Sequence, residues 1–341
     1  MTMPEKPPAP NTDSPDSSLE SARIAAVNSW EISSDEHKQP ANVKGDFELA
    51  YAFSWDGLDT FEGLSLNDDE LPVIASEETP EPSPDPQLIA AWGLHNLILF
   101  LHEGDIRARF TAIRMAEWLT ANMVVWQKSF YAWPTDTTEP FYEVPGKRLT
   151  AEAHGLGLSL LLRVAYLEND ARFDEAAARI VRIFFLPAEN GGLAGRFPDG
   201  SLAFENYATK PPSLDLIGFL FAVHALHDYS TYFDDHAIRS LYFSSRSSLK
   251  ANLEQYDPGF WILRDLHPSR RLATPQQITI ISRLLHGLGH LTEDEYFSEI
   301  ADRWQAYPEQ KKSRFTYRWH RLLEKIRFRF FRKKYHLPAR K

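Results

Sequence analysis

The sequence predicts an all-α chain: an (α/α) toroid or incomplete barrel of about four helical hairpins, with a short β-containing N-terminal strap and a basic C-terminal helix. Two observations carry this expectation. Apolar residues recur with a helical period of about 3.6 in eight successive stretches. A short acidic-to-phenylalanine signature also recurs between the paired stretches, at Asp105 and Phe110, Asp170 and Phe173, Asp228 and Phe233, and Asp294 and Phe297.

The helical stretches are 87–103, 106–126, 150–168, 172–186, 213–229, 234–253, 276–290 and 294–306. Each recurring aspartate reads as an N-cap. In the last three, Ala177, Ala237 and Ala301 follow the phenylalanine by four residues, placing a small side chain one turn along the same face. The aspartates are 65, 58 and 66 residues apart, so one helix pair recurs at a period longer than that of short-repeat solenoids. The extra length falls in loops at one end of the ring, the longest being 127–149 and 187–212, both dense in aromatics, Gly and Pro. Upstream, 1–42 is rich in Pro, Ser and acidic residues and reads as a disordered tail. Residues 43–84 read as a strap and linker, with the alternation Tyr51-Ala-Phe-Ser-Trp55 expected as one or two strands or an extended segment.

Composition narrows the chemistry. The chain has 341 residues, 43% hydrophobic and 13% aromatic, enough for a sizeable core. The absence of cysteine removes thiol nucleophiles and thiolate metal sites, so catalysis must use oxygen and nitrogen side chains. The first residues lack the apolar segment of a secretory signal, which sets the expectation of a cytoplasmic protein. The net charge of −10 divides unevenly: 311–341 carries 13 Lys and Arg against one Glu, or +12, leaving −22 for the rest. So acidic a body argues against nucleic acid as its partner.

Several segments together carry a family resemblance. They are Asp85-Pro-Gln-Leu-Ile-Ala-Ala-Trp-Gly-Leu94, Ala116-Glu-Trp-Leu-Thr-Ala-Asn122, Ala151-Glu-Ala-His-Gly155, Leu162-Arg-Val-Ala-Tyr166, Phe204-Glu-Asn-Tyr207, Pro212-Ser-Leu-Asp-Leu-Ile-Gly-Phe219, Tyr256-Asp-Pro-Gly259 and Asp302-Arg-Trp304. In this order and spacing the chain resembles the C-terminal, catalytic domain of D-glucuronyl C5-epimerases over about 84–307. The resemblance implies inversion at C5 of glucuronate within a heparosan-like, heparan sulfate-like or other acidic polysaccharide. One side chain removes the C5 proton, another returns one, and a cation holds the substrate carboxylate; no cofactor is implied.

Carried onto this sequence, the resemblance points to Tyr207 and Glu205 as candidate catalytic residues. The family glutamate beside that tyrosine is here Asn206, which cannot act as a base, and the segment aligned with a further family tyrosine reads Leu272-Ala273-Thr274. Arg264, Asp265 and His267 are candidates for substrate binding, the guanidinium being best shaped for a carboxylate. The competing reading of Arg264 is an ion pair with Asp265 or Glu205 that orders the loop. Glu152 and His154, at a helix start between the long loops, are candidates for a new acid/base pair, although i, i+2 neighbours face different sides of a helix. Trp126, Trp133, Tyr142, Phe197 and Trp261 are candidates for stacking on sugar rings or for ordinary burial. His286 and His290 have a zinc-compatible i, i+4 spacing without the third ligand or the intervening Glu, so no metal is assigned.

Two readings compete with the epimerase: a non-catalytic glycan-binding scaffold, and a polysaccharide lyase or glycoside hydrolase drawing paired carboxylates from Glu205, Asp265, Asp199 or Glu152. The tail is a separate signal. Phe315, Trp319, Leu322, Leu323, Ile326 and Phe330 form an apolar stripe on a helix otherwise dominated by Arg and Lys. Such a helix suits either a peripheral position on the inner face of an anionic membrane, fitting a lipid-linked glycan, or packing of the stripe on the acidic body.

Overall fold

The structure, a computed structural model, describes residues 47–74, 83–135, 142 and 147–334, with side chains of the last helix described to 323. The expected disordered tail 1–42 and most of the linker lie outside these residues. Among the described residues there are nine α-helices and three two-stranded sheets.

Four antiparallel hairpins make the body. They are α1 (Pro86–Glu103) with α2 (Ile106–Ala121), α3 (Ala151–Glu168) with α4 (Ala171–Ile180), α5 (Leu216–Tyr232) with α6 (His236–Asn252), and α7 (Pro275–Thr292) with α8 (Glu295–Gln305). The first helix of each pair lies inside and packs on the next: α1 on α3, α3 on α5, α5 on α7. Their burial reflects this, since α3 and α5 are apolar on nearly every face while α4 and α8 bury one stripe. Close approach of α3 to α5 requires Gly155, where a Cβ would stand 2.7 Å from the Phe221 backbone carbonyl.

The strap bridges the remaining gap between α7 and α1. Arg283 Nη1 donates to the Ser54 carbonyl at 2.7 Å, and Phe61 packs edge-on to Trp92 of α1 at 5.1 Å. Tyr51, Phe53 and Trp55 are buried in an extended segment without ladder partners. The strands of this region are instead β1 (Leu64–Leu66) and β2 (Pro72–Ile74), an antiparallel pair. Beneath the strap, Arg163 and Asp228 form a buried ion pair at 2.6 Å, with Arg163 also donating to the Ala50 carbonyl.

The expected helix bounds shift where a local feature competes. α2 stops at Ala121 rather than 126, because Asn122 Nδ2 caps the Trp118 carbonyl and Val124–Trp126 enters the hairpin β3 (Val124–Trp126) and β4 (Phe130–Ala132). After Ile180 the chain tightens into a 3₁₀ turn over Val181–Phe185. Asp105, Asp170 and Asp294 are the N-caps expected of them, each accepting a backbone N–H of the first turn. Asp228 is not a cap: α5 continues to Tyr232, placing Asp228 inside the helix against Arg163, and Asp235 caps α6 instead. The last helix, α9 (Lys311–Lys334), follows a short 3₁₀ turn, and Tyr317 stacks on Trp261 at 4.2 Å.

Candidate functional site

The site is assembled by backbone bonds between loops at one end of the inner helices. The hairpin of β5 (Ala194–Arg196) and β6 (Leu202–Phe204) delivers 205–207, and Ala151 N–H donates to the Glu205 carbonyl at 3.2 Å. That bond sets Asn206 beside Glu152 in the first turn of α3. The segment preceding α5 is joined to 264–266 by Leu216 N–H to the Arg264 carbonyl at 3.1 Å and Leu266 N–H to the Ser213 carbonyl at 3.1 Å. Those bonds set Arg264 beside Asp215, the N-cap of α5.

The result is a continuous polar chain. Asn206 Nδ2 donates to Glu152 Oε2 at 3.2 Å, and the Glu152 backbone N–H donates to Asn206 Oδ1 at 3.1 Å. Asp215 Oδ1 accepts the Gly218 N–H at 3.1 Å and lies 3.5 Å from Asn206 Nδ2. Arg264 Nε donates to Asp215 Oδ2 at 3.0 Å, and Arg264 Nη2 donates to the Tyr207 phenol oxygen at 3.0 Å. The Tyr207 ring is flanked by the guanidinium carbons of Arg148 and Arg264, each 5.6 Å from its centroid.

Glu152, Tyr207, Asp215 and Arg264 line one cavity of about 540 Å³, together with Gln87, Gln277 and residues of the strap including Asp59 and Glu62. Tyr207 is its aromatic among the described residues. Burial, reinforced by the charge of Asp215, pushes the Glu152 carboxyl up to about 7, while Asn206 and Arg264 act in the opposite direction. Near neutrality this carboxyl is divided between its two protonation states.

The other sequence candidates lie beneath this surface. Glu205 is 3% exposed; its Oε2 accepts from Ser213 Oγ at 2.7 Å and from the Leu214 N–H at 3.1 Å. Leu214 has φ of 51°, a left-handed conformation rare for leucine, and Glu205 holds its N–H just before Asp215. Burial raises the Glu205 carboxyl to about 7. Glu205 thus shapes the loop from below and does not line the cavity.

His154 is fully buried. Its Nδ1 faces the Thr150 carbonyl at 2.8 Å and its Nε2 accepts the Trp133 N–H at 3.1 Å, which fixes a neutral Nδ1–H tautomer. Burial lowers its pKa to about 4. Glu152 and His154 therefore form no acid/base pair: the helix turns one to the cavity and the other into the core. Asp265 is buried against Arg271 Nε at 2.9 Å, so the partner of Arg264 is Asp215 rather than Asp265 or Glu205. His267 is buried against Ser269 and an edge of Tyr142, and burial lowers it to about 4, leaving Arg264 as the cation of the cavity lining among the described residues. Trp133 is buried with its indole N–H on the Leu119 carbonyl at 2.8 Å, and Phe197 and Trp261 are also core. Trp126 donates to the Gly191 carbonyl, outside the cavity lining. Asp199 caps its own turn through Ser201 on the surface.

Sequence reasoning missed Asp215 and the function of Asn206. The signal for Asp215 was present, an aspartate immediately before the apolar run of α5 in Pro212-Ser-Leu-Asp-Leu-Ile-Gly-Phe219. Nothing local announces that Asn206 grips Glu152, since the two are 54 positions apart.

A family described as D-glucuronyl C5-epimerase C-terminus matches residues 127–306. A D-glucuronyl C5-epimerase of Caenorhabditis elegans is 29% identical over 220 residues, covering 58% of this chain and 35% of that protein. The chain thus spans about a third of the length of that relative. Solved structures with partial likeness include a GH76 alpha-mannanase from Bacteroides thetaiotaomicron, with a TM-score of 0.48 and 11% identity over 72% of this chain and 64% of that one. A cellobiose 2-epimerase from Spirochaeta thermophila gives 0.46 and 12% over 71% and 63%.

Proposed function

Starting from a chain that belongs to the D-glucuronyl C5-epimerase C-terminus family, we propose that its cavity interconverts D-glucuronate and L-iduronate units of an acidic polysaccharide, with Glu152 and Tyr207 as its two proton-carrying groups. The observation that carries this reading is the polar chain from Glu152 through Asn206, Asp215 and Arg264 to Tyr207, whose two ends both line the cavity.

The chemistry follows from the chain's members. A proton next to a carboxylate is acidic only if the carboxylate can take up charge, and Arg264 supplies the guanidinium against which it does so. One group accepts the C5 proton as the C5–H bond breaks, giving an enolate-like centre. The other then donates its proton to C5, and inversion results when the two act from opposite sides. Glu152, poised near about 7, serves either role at neutral pH. Tyr207 donates its hydroxyl proton, and the resulting phenolate is met by the Arg264 Nη2 donor. Reversal of the roles gives the reverse reaction. The position left without a carboxylate at Asn206 is thereby served from α3, with the amide of Asn206 orienting Glu152.

The hydrolase and lyase alternatives have less support. Of the four carboxylates those readings draw on, Glu152 lines the cavity and Glu205, Asp265 and Asp199 do not; Asp59 and Glu62 line it from the strap, and Asp215 is held by both Arg264 and its own helix cap. Incubation with uronate polymers in deuterated water tests the proposal: deuterium should enter C5 without new reducing ends or an unsaturated, ultraviolet-absorbing product. A panel of acidic glycans that shows no exchange, or exchange undiminished in Glu152→Gln, rejects it.

A further inference from the structure

We infer that α9 is a membrane-surface helix whose outward face seats on an anionic lipid bilayer. The inference is separate from the proposed reaction and rests on which side of α9 the body occupies. Tyr317 stacks on Trp261 at 4.2 Å, His320 lies 4.8 Å from the Phe260 ring, and Ser313 is buried. At 100° per residue these three positions fall on one side of the helix. The apolar stripe falls on the other: Phe315 is 65% exposed, Trp319 53%, Leu322 61% and Leu323 39%. The described part of the stripe expected from sequence, Phe315 to Leu323, therefore does not pack on the body. The weakly apolar side docks and the strongly apolar side faces out, with Phe315 and Trp319 in mutual edge contact at 6.4 Å.

Charge identifies the occupant. Lys311, Lys312, Arg314 and Arg318 are exposed on the described part of the helix and make no ion pair with the body among the described residues. They sit beside the stripe, the arrangement of an interfacial helix whose aromatics enter the acyl boundary while its cations meet lipid phosphates. A second copy is a poor occupant, because stripe-to-stripe contact would bring two segments of +12 together. A soluble polyanion would satisfy the cations and leave the aromatics wet.

Trp261, which α9 stacks on, lies three residues before Arg264 in the same loop.

The test uses the full chain with vesicles of phosphatidylcholine alone, or with about a third phosphatidylglycerol. Truncation of α9 would disturb the Trp261 loop, so the variant is Phe315→Ser, Trp319→Ser, Leu322→Ser, all exposed. The wild type should sediment with the anionic vesicles only, more weakly in high salt, and the triple variant should bind at least about tenfold more weakly while keeping its circular dichroism and melting temperature. Brominated lipid should quench a fluorescence component that Trp319→Phe lacks. Absence of binding, equal binding by the variant, binding to soluble heparin as tight as to vesicles and indifferent to the stripe, or a wild-type dimer that the variant converts to monomer would each overturn the inference.

Discussion

Asn206 holds Glu152 at both ends, its amide nitrogen on the carboxylate at 3.2 Å and its amide oxygen on the backbone N–H at 3.1 Å. A residue that cannot itself move a proton thus determines where one that can is placed. The clamp depends on Gly218, where a Cβ would stand 2.6 Å from both Cβ and Cγ of Asn206.

Gly218→Ala should therefore displace Asn206 and free Glu152 without removing either group. The expected outcome is a fall in C5 hydrogen exchange of at least about tenfold, with destabilisation of about 1–3 kcal/mol from overpacking. Exchange and thermal unfolding measured on the same preparation separate the two effects.

Glu152→Gln and Tyr207→Phe should each lower C5 exchange by about 10²–10⁴-fold while leaving the fold intact. The wild-type rate should inflect near pH 7, where the Glu152 carboxyl titrates, and the inflection should be missing from the residual rate of Glu152→Gln. A pH–rate profile by nuclear magnetic resonance checks both statements.

Arg264→Ala removes the partner of Asp215, whose side chain is fully buried. An uncompensated buried carboxylate costs about 3–5 kcal/mol, so this variant should lose stability as well as glycan affinity. Arg264→Lys should keep more of the stability than of the affinity, since an ammonium lacks the fork that reaches Asp215 and Tyr207 together. Chemical denaturation and glycan binding report the two losses.

Glu205 supplies a pH test of stability. Its carboxyl is raised from 4.5 to about 7, so the stability associated with its protonated form is complete below 4.5 and is lost as pH rises through about 7. Glu205→Gln stays neutral and keeps an acceptor for the Leu214 N–H. Relative to wild type it should gain about 3 kcal/mol between pH 4.5 and pH 8, by order of magnitude. Denaturation at the two pH values is the measurement, and an unchanged difference would show that the carboxyl is not raised.

The hairpins were legible because an amphipathic helix writes its buried face into its own residues, and Asp105, Asp170 and Asp294 cap where their sequence context suggests. Asp228 was misread because an aspartate in the last turn of a helix and an aspartate before the next one look alike in sequence. Its buried partner, Arg163, is 65 positions away. The same limit applied to the cavity: Glu152, Tyr207 and Arg264 were identifiable as residue types in suitable places, but so were His154, Glu205 and His267, which the fold buries.

The sequence by itself determined the all-α hairpin architecture, the family, and the segregation of charge between body and tail, because periodicity, motif order and composition are properties of the chain. Tertiary structure decided which polar residues share a cavity, which pKa values move, and which face of α9 remains open. Those outcomes depend on desolvation and on contacts between loops distant in sequence, such as Ala151 with Glu205 and Leu216 with Arg264, and such contacts exist only once the inner helices have packed.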